Sequence, residues 1–387
     1  MNNFNFYNPT QIVFGKETIA KLDELIAIDA KVLLLYGGQS ARKTGTLDEV
    51  KKALGNRHID EFGGIEANPT YETLMQAVRL VREKKFDFLL AVGGGSVIDG
   101  TKFVAAAACL DETQDPWEMM EQRGANVEKA LPFGTILTLP ATGSEMNQGS
   151  VVTYKAKQAK LAFISVHIYP KFSILDPTKT FTLPPRQISN GVVDAFVHII
   201  EQYLTYPTHA MVQDRFAEGL LQTLIEIGPK ALATPQDYEI RANLMWVATL
   251  ALNGLIGAGV PQDWATHMIG HELTALYGID HAQTLAIILP GLLQVRRNNK
   301  AAKLLQYAER VWQITDGSDD EKIDLAITKT RQFFEQMQIK THLHNYDINE
   351  SAFDLIIKQL SDHGMTALGE QQDITPQISR QILTTCL

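Results

Sequence analysis

Short apolar runs that stop at glycine alternate, in the first half of the chain, with stretches whose apolar residues recur every three or four positions. Lys31–Tyr36 (KVLLLY) runs into Gly37-Gly38, Asp87–Val92 (DFLLAV) runs into Gly93-Gly94-Gly95, and Thr135–Leu139 is a third such run. Runs of this length bounded by turn residues predict buried strands. Between them, Thr70–Glu83 sets Leu74, Ala77, Val78 and Val81 on one helix face. Strand–glycine–helix alternation predicts a parallel sheet covered by helices. From Val151 to Ile168 the pattern turns irregular and more polar, which predicts a β-excursion on the rim of the sheet.

After Pro184-Pro185 the pattern changes to long helical periodicity with no obvious strand. Ala301–Thr315 and Ile323–Met337 read as amphipathic helices, and Leu250–Val260 as an apolar, glycine-rich one. Proline ends regular structure and suits a helix start, so the pair marks a junction. The expected architecture is an α/β domain with a parallel sheet over 1–184 and an all-helical domain over 185–387.

Composition narrows the function. A chain of 387 residues, 45% of them apolar, has room for two cores. A net charge of −9 opposes nucleic acid and anionic membrane as partners, though not phosphate at a local site. Two distant cysteines, Cys109 and Cys386, form neither a disulfide framework nor a Cys-rich metal site. The start shows no basic and then apolar leader pattern. No run approaches the roughly 18 apolar residues a spanning helix needs, so the expected place is the cytoplasm.

Gly93-Gly94-Gly95-Ser96 sits between a strand and a helix. Helix-start amides favour an anion there, and glycines admit a pyrophosphate without Cβ clashes. Ser96 could cap the helix. The same glycines would serve a tight turn without a ligand, and neither the G-x-G-x-x-G fingerprint nor a P-loop is present. At Gly37-Gly38-Gln39-Ser40 no acid stands where one would bind ribose hydroxyls and select NAD. Ser40, Arg42 and Lys43 suit a 2′-phosphate instead and point to NADP(H), unless the two cations are ordinary solvated charges. A third polar turn, Thr138–Glu145, could hydrogen-bond a cofactor.

The sharpest local signal is Gly191–Ile200 (GVVDAFVHII), where Asp194 and His198 are the polar side chains of an apolar helix. At i, i+4 they share one face. A carboxylate buried there is costly unless paired or bound to a metal. The pair is half a metal site, or else a self-satisfied hydrogen bond. Asp263, His267 and His271 form a second stripe, and His281 follows Gly278, which should end that helix, with Asp280 placed to cap the next. Zincin patterns are absent. Spacing alone favours His267 with His271. His342 and His344 lie in a polar loop and suggest no site.

Taken in order, several motifs resemble the iron-containing alcohol dehydrogenases, also called group III. They are Gly93–Lys102 (GGGSVIDGTK), Thr138–Glu145, Leu175-Asp176-Pro177, Thr182-Leu183-Pro184, Asp194–Glu201 (DAFVHIIE) and His267–Pro290. Within that family the chain is most similar to the NADPH-dependent bacterial aldehyde reductases and butanol dehydrogenases, and the resemblance spans essentially its whole length. It implies a dehydroquinate synthase-like fold, an N-terminal dinucleotide-binding α/β domain and a C-terminal helical domain with the site in the cleft. It implies metal ligands at Asp194, His198, His267 and His281, with His271 near the substrate. It implies pyrophosphate binding at Gly94, Gly95 and Ser96, nicotinamide and ribose contacts at Asp99, Thr138, Thr142 and Lys160, and the adenosine-phosphate end at Gly37, Gly38 and Ser40. Two departures stand out: the family's longer P-T-T-x-G-T-G-S-E turn is shortened to P-A-T-G-S-E, and Ala282 replaces a common glycine.

The implied chemistry is reversible reduction of a small aldehyde by NADP(H) at one divalent metal. Both Zn²⁺ and Fe²⁺ accept the ligand set; affinity order and the branch favour Zn²⁺. His271 suits the proton transfer, and relatives imply a homodimer. Trp264, Met268 and Leu285 suggest an aliphatic pocket, or could equally be core. A glycerol-type polyol dehydrogenase is the nearest rival. A sugar-phosphate cyclase would need a basic pocket, and no lysine or arginine cluster surrounds the histidines. A non-catalytic metal- and nucleotide-binding sensor would not need open metal positions.

Overall fold

The computed structural model describes the whole chain, Met1–Leu387. It divides into two compact units, one of Tyr7–Leu183 with Pro235–Met245, the other of Met1–Phe6, Pro184–Thr234 and Trp246–Leu387. Two short segments, 1–6 and 235–245, therefore fall on the far side of a single cut at Pro184.

The first unit is built on eight strands: β1 (Gln11–Phe14), β2 (Lys31–Tyr36), β3 (His58–Phe62), β4 (Phe88–Gly94), β5 (Phe133–Leu139), β6 (Gly149–Tyr154), β7 (Ala159–Ile164) and β8 (Phe172–Leu175). Six make one sheet in the order β1-β8-β5-β4-β2-β3, with every pairing parallel. Along β2, Leu33 and Leu35 enter one core while Val32, Leu34 and Tyr36 enter another. Leu89 and Ala91 of β4 divide in the same way from Leu90 and Val92. Both faces of the sheet are covered, which is why these strands read as continuous apolar runs.

β4 runs on through Gly93 and Gly94, and the Gly95–Ala107 helix begins at once. The strand therefore extends past the expected end at Val92, because these glycines do not form a turn. They are needed for close packing. A Cβ on Gly93 would stand 2.6 Å from Val97, and one on Gly95 would stand 2.3 Å from the Thr142 hydroxyl. The β-excursion is present, but β6 and β7 form an antiparallel sheet of their own rather than a rim of the main one. Their Val152 and Phe163 share a core with Phe103 and Val104 of the Gly95–Ala107 helix.

The second unit is helical and contributes no strand to either sheet. Its first helix, Pro185–Tyr203, opens on Pro185 with Pro184 at the N-cap. The Tyr238–Ala251 helix takes in only Leu250 and Ala251 of the expected Leu250–Val260 helix. Gly254 and Gly259 there have φ of 90° and 70°, and left-handed backbone breaks the helix. The Ala301–Arg310 helix stops short of Thr315, and Asp319–Gln336 starts ahead of Ile323 because Ser318 and Glu321 form a capping box. No helix is long and apolar enough to cross a membrane.

Phe196 anchors the Pro185–Tyr203 helix. Its fully buried ring lies 5.2 Å and 5.5 Å, centroid to centroid, from those of Phe333 and Phe334. Phe196→Ala is expected to cost about 3–5 kcal/mol. Scanning calorimetry should show the loss as a lowered midpoint for the helical unit.

Candidate active site

The Pro185–Tyr203 helix buries Asp194, His198 and Glu201 to 3%, 4% and 2% exposure. Asp194 Oδ1 is buried without a hydrogen-bond partner. Three imidazole Nε2 atoms surround it: His198 at 3.7 Å, His281 at 3.6 Å and His267 at 4.0 Å. These distances are too long for hydrogen bonds. They are near the ~3.4 Å that separates two ligands about 2.1 Å from a tetrahedral ion. Asp194, His267 and His281 offer ligand atoms all within 4.8 Å of one another. His198 joins through its approach to Asp194 and stacks on His267 with centroids 4.7 Å apart. One carboxylate and three imidazoles fit a Zn²⁺ or Fe²⁺ ion.

His267 is the third residue of the Ala265–Tyr277 helix, whose Gly278 C-cap has a φ of 68°. That left-handed turn lets His281, first residue of the His281–Val295 helix, return toward Asp194. Asp280 occupies the N-cap of this helix, but its carboxylate makes no capping hydrogen bond and instead accepts from Arg186 at 2.7 Å and Asn190 at 2.8 Å. The His271 ring lies 5.3 Å from His281 and perpendicular to His267 at 6.2 Å. His271 thus borders the group while His281 enters it, against what spacing alone favoured. Asp263 leaves the stripe altogether. It precedes the helix, accepts from the Ala265 N–H at 3.0 Å and pairs with Lys300.

Glu201 is the residue the sequence reading overlooked as part of the site. Its carboxylate accepts the Thr266 N–H at 2.7 Å and meets His267 Nδ1 in a short hydrogen bond. That contact fixes which His267 nitrogen faces Asp194. Burial, then the charge of Asp263, pushes the Glu201 carboxyl up to about 8. The signal was available, since Glu201 follows Asp194 at i+7 and His198 at i+3.

The first unit holds the other expected positions. Gly37 and Gly38 follow β2, and Ser40 starts the short Ser40–Lys43 helix. Arg42 is not a free cation: it donates to Glu61 of β3 and to the Tyr36 hydroxyl, both at 2.6 Å, and Lys51 also pairs with Glu61. An acid therefore does reach this end, carried by the neighbouring strand. Gly94 is the N-cap of the Gly95–Ala107 helix, so Ser96 does not cap it; the Ser96 hydroxyl donates to the Ala67 carbonyl. Asp99 accepts from Ser144 at 2.5 Å and from the Val151 N–H at 3.0 Å. Burial pushes the Asp99 carboxyl up and the neighbouring Lys102 ammonium down, the latter to about 8. Thr138 is the next-to-last residue of β5, Thr142 accepts from the Ser144 N–H at 3.2 Å, and Lys160 of β7 donates to Asn68 at 3.2 Å. Among the apolar candidates, Leu285 is fully buried core, whereas Trp264 and Met268 are partly exposed.

Residues 9–177 match the iron-containing alcohol dehydrogenase family, and residues 188–384 match the C-terminal domain of the Fe-containing alcohol dehydrogenase family. The chain is 62% identical over 382 residues to the NADPH-dependent aldehyde reductase YqhD of Escherichia coli, covering 99% of each. It is 40% identical to a probable NADH-dependent butanol dehydrogenase of Bacillus subtilis, covering 94% of this chain and 95% of that one. The substrate- and cofactor-free structure of the E. coli aldehyde reductase superimposes with a TM-score of 0.94 at 59% identity, covering 100% of both chains. The chain belongs to the iron-containing alcohol dehydrogenase family.

Proposed function

We propose that this protein is an NADPH-dependent aldehyde reductase that turns small aldehydes into alcohols and runs in reverse as an alcohol dehydrogenase. The observation that carries the reading is the buried Asp194 carboxylate facing three imidazoles. Asp194, His198, His267 and His281 hold one divalent metal, for which Zn²⁺ is the proposed occupant. Bound there, such an ion supplies Lewis-acid stabilisation of negative charge on the substrate oxygen. The name of the E. coli relative supports NADPH as the donor, while the B. subtilis relative is named for NADH.

The protein's own groups do the rest. Amides at Gly94, Gly95 and Ser96, at the start of a 13-residue helix, hold the pyrophosphate. Thr138, Thr142, Asp99 and Lys160 hold the nicotinamide and its ribose. Gly37, Gly38 and Ser40 receive the 2′-phosphate. Trp264 and Met268 receive the alkyl chain and keep water from it. Held there, a dihydronicotinamide would supply hydride for the carbonyl carbon, leaving these side chains to orient it and to bring one proton to the oxygen as C=O becomes C–O. His271, whose ring lies 5.3 Å from that of His281, delivers that proton.

Butanal reduction with NADPH, beside metal analysis of the purified protein, tests the reading. Asp194→Asn and His267→Ala should each lose the metal and on the order of 10³-fold in kcat/KM, while circular dichroism stays native. Full metal content in both variants would overturn it. Glu201→Gln should keep the fold yet weaken metal binding about 10–100-fold in a chelator competition. Ser40→Asp sets a negative charge where the 2′-phosphate is proposed to lie. The ratio of kcat/KM for NADPH to that for NADH should fall about tenfold or more.

A further inference from the structure

Lys300 occupies the N-cap of the Ala301–Arg310 helix, where a cation opposes the dipole of its own helix. Local helix stability therefore does not account for it. Its side chain turns away into the protein and is 2% exposed. All three ammonium hydrogens have partners: the Leu204 carbonyl at 2.7 Å, Asp263 Oδ2 at 2.7 Å and the Glu370 carboxylate at 2.8 Å and 2.9 Å. Asp263 and Glu370 are themselves 3% and 6% exposed at the side chain. A buried cation saturated in this way persists because of what it joins.

It joins the two ends that matter for the ligand cluster. Leu204 is the C-cap of the helix carrying Asp194 and His198. A cation there complements the dipole of that helix. Asp263 precedes the helix carrying His267, and its other oxygen accepts the Ala265 N–H. Its own N–H donates to the Glu201 carbonyl at 2.9 Å, so the same loop is fastened twice to the first helix. His198 lies about 9 Å along one helix from the Leu204 anchor, and His267 follows the Asp263 anchor by four residues. Metal ligands must hold their distances to about 0.2 Å. A small rotation at either anchor would exceed that at the imidazoles.

We propose that Lys300 is a positioning residue for the metal centre, locking the end of the Asp194–His198 helix to the start of the His267 helix and bracing both against the Glu370 turn. This rests on the reading that the cluster holds a metal. The test uses the full-length protein and Zn²⁺, with binding measured by competition against a chromophoric chelator. Lys300→Met should weaken Zn²⁺ binding about tenfold to a hundredfold. Its thermal midpoint should gain less on Zn²⁺ addition than the wild type gains, and the ligand-field spectrum of the Co²⁺-loaded protein should change. A purely structural role would lower the midpoint equally with and without metal and leave that spectrum alone. Asp263→Asn, which leaves the ammonium two partners, should weaken Zn²⁺ binding in the same direction, and the double variant should lose less than the two losses combined. If Lys300→Met does not fold, Asp263→Asn and Glu370→Gln carry the same measurements. Wild-type affinity and spectrum in every variant that folds would overturn the role of Lys300. A wild-type protein that binds no Zn²⁺, Fe²⁺ or Co²⁺ would overturn the metal reading itself.

Discussion

The helical unit is organised around a buried carboxylate. Asp194 sits in a helix almost wholly buried along its second half, with one oxygen lacking any hydrogen-bond partner. Leaving a charge in that state costs several kcal/mol, so the surroundings must answer it. They answer with three imidazoles from three helices, none close enough to hydrogen-bond the free oxygen. The arrangement satisfies a cation at its centre better than it satisfies itself. A self-contained Asp–His hydrogen bond, the other reading of the i, i+4 pair, is not what forms.

Holding imidazoles at such a point is a problem of helix placement, and Glu201 addresses it at close range. One of its oxygens takes a helix-start amide and the other takes the His267 ring. A carboxylate at a helix N-terminus is favoured by the dipole, so the same group that orients His267 also stabilises the start of its helix. Asp263 does likewise for Ala265, one residue earlier. Two acids therefore crowd one helix start. Burial first, and this crowding second, raises the Glu201 carboxyl, and the same crowding calls for a cation against Asp263.

What the sequence made legible follows from the range of the interactions involved. The parallel sheet was readable because strands buried on both faces are apolar at every position, as β2 and β4 are. The Asp194–His198 pair was readable because helix periodicity fixes which residues share a face. His281 was not readable from periodicity, since the left-handed Gly278 resets the geometry between it and His271. It came from family resemblance alone. The Leu250–Val260 helix was misread because apolar glycine-rich segments look helical until φ is known, and Gly254 and Gly259 take the left-handed region. The role of Ser96 was misread for a related reason: two glycines stay in the strand, which moves the helix start and leaves the serine inside it.

The adenosine end shows why a local reading of charge can mislead. Arg42 and Lys43 read as a basic pair facing no acid within their own turn. Parallel pairing of β2 with β3 sets Leu34 opposite Glu61 and so brings an acid to the same place from 19 residues away. Burial alone would raise the Glu61 carboxyl, yet hydrogen bonds from Lys51 and Tyr36 hold it below its usual range, as an anion. A 2′-phosphate would have to compete with that anion for Arg42, so the guanidinium contributes a difference between two ion pairs and not a whole one. On the proposed placement, the burden of selecting the phosphate would then shift to the neutral part of the turn. The Ser40 hydroxyl can donate there, and a side chain at Gly38 would meet nothing within 4 Å. On the proposed placement, the absence of an acid from the turn itself would weigh more in cofactor choice than the presence of its cations.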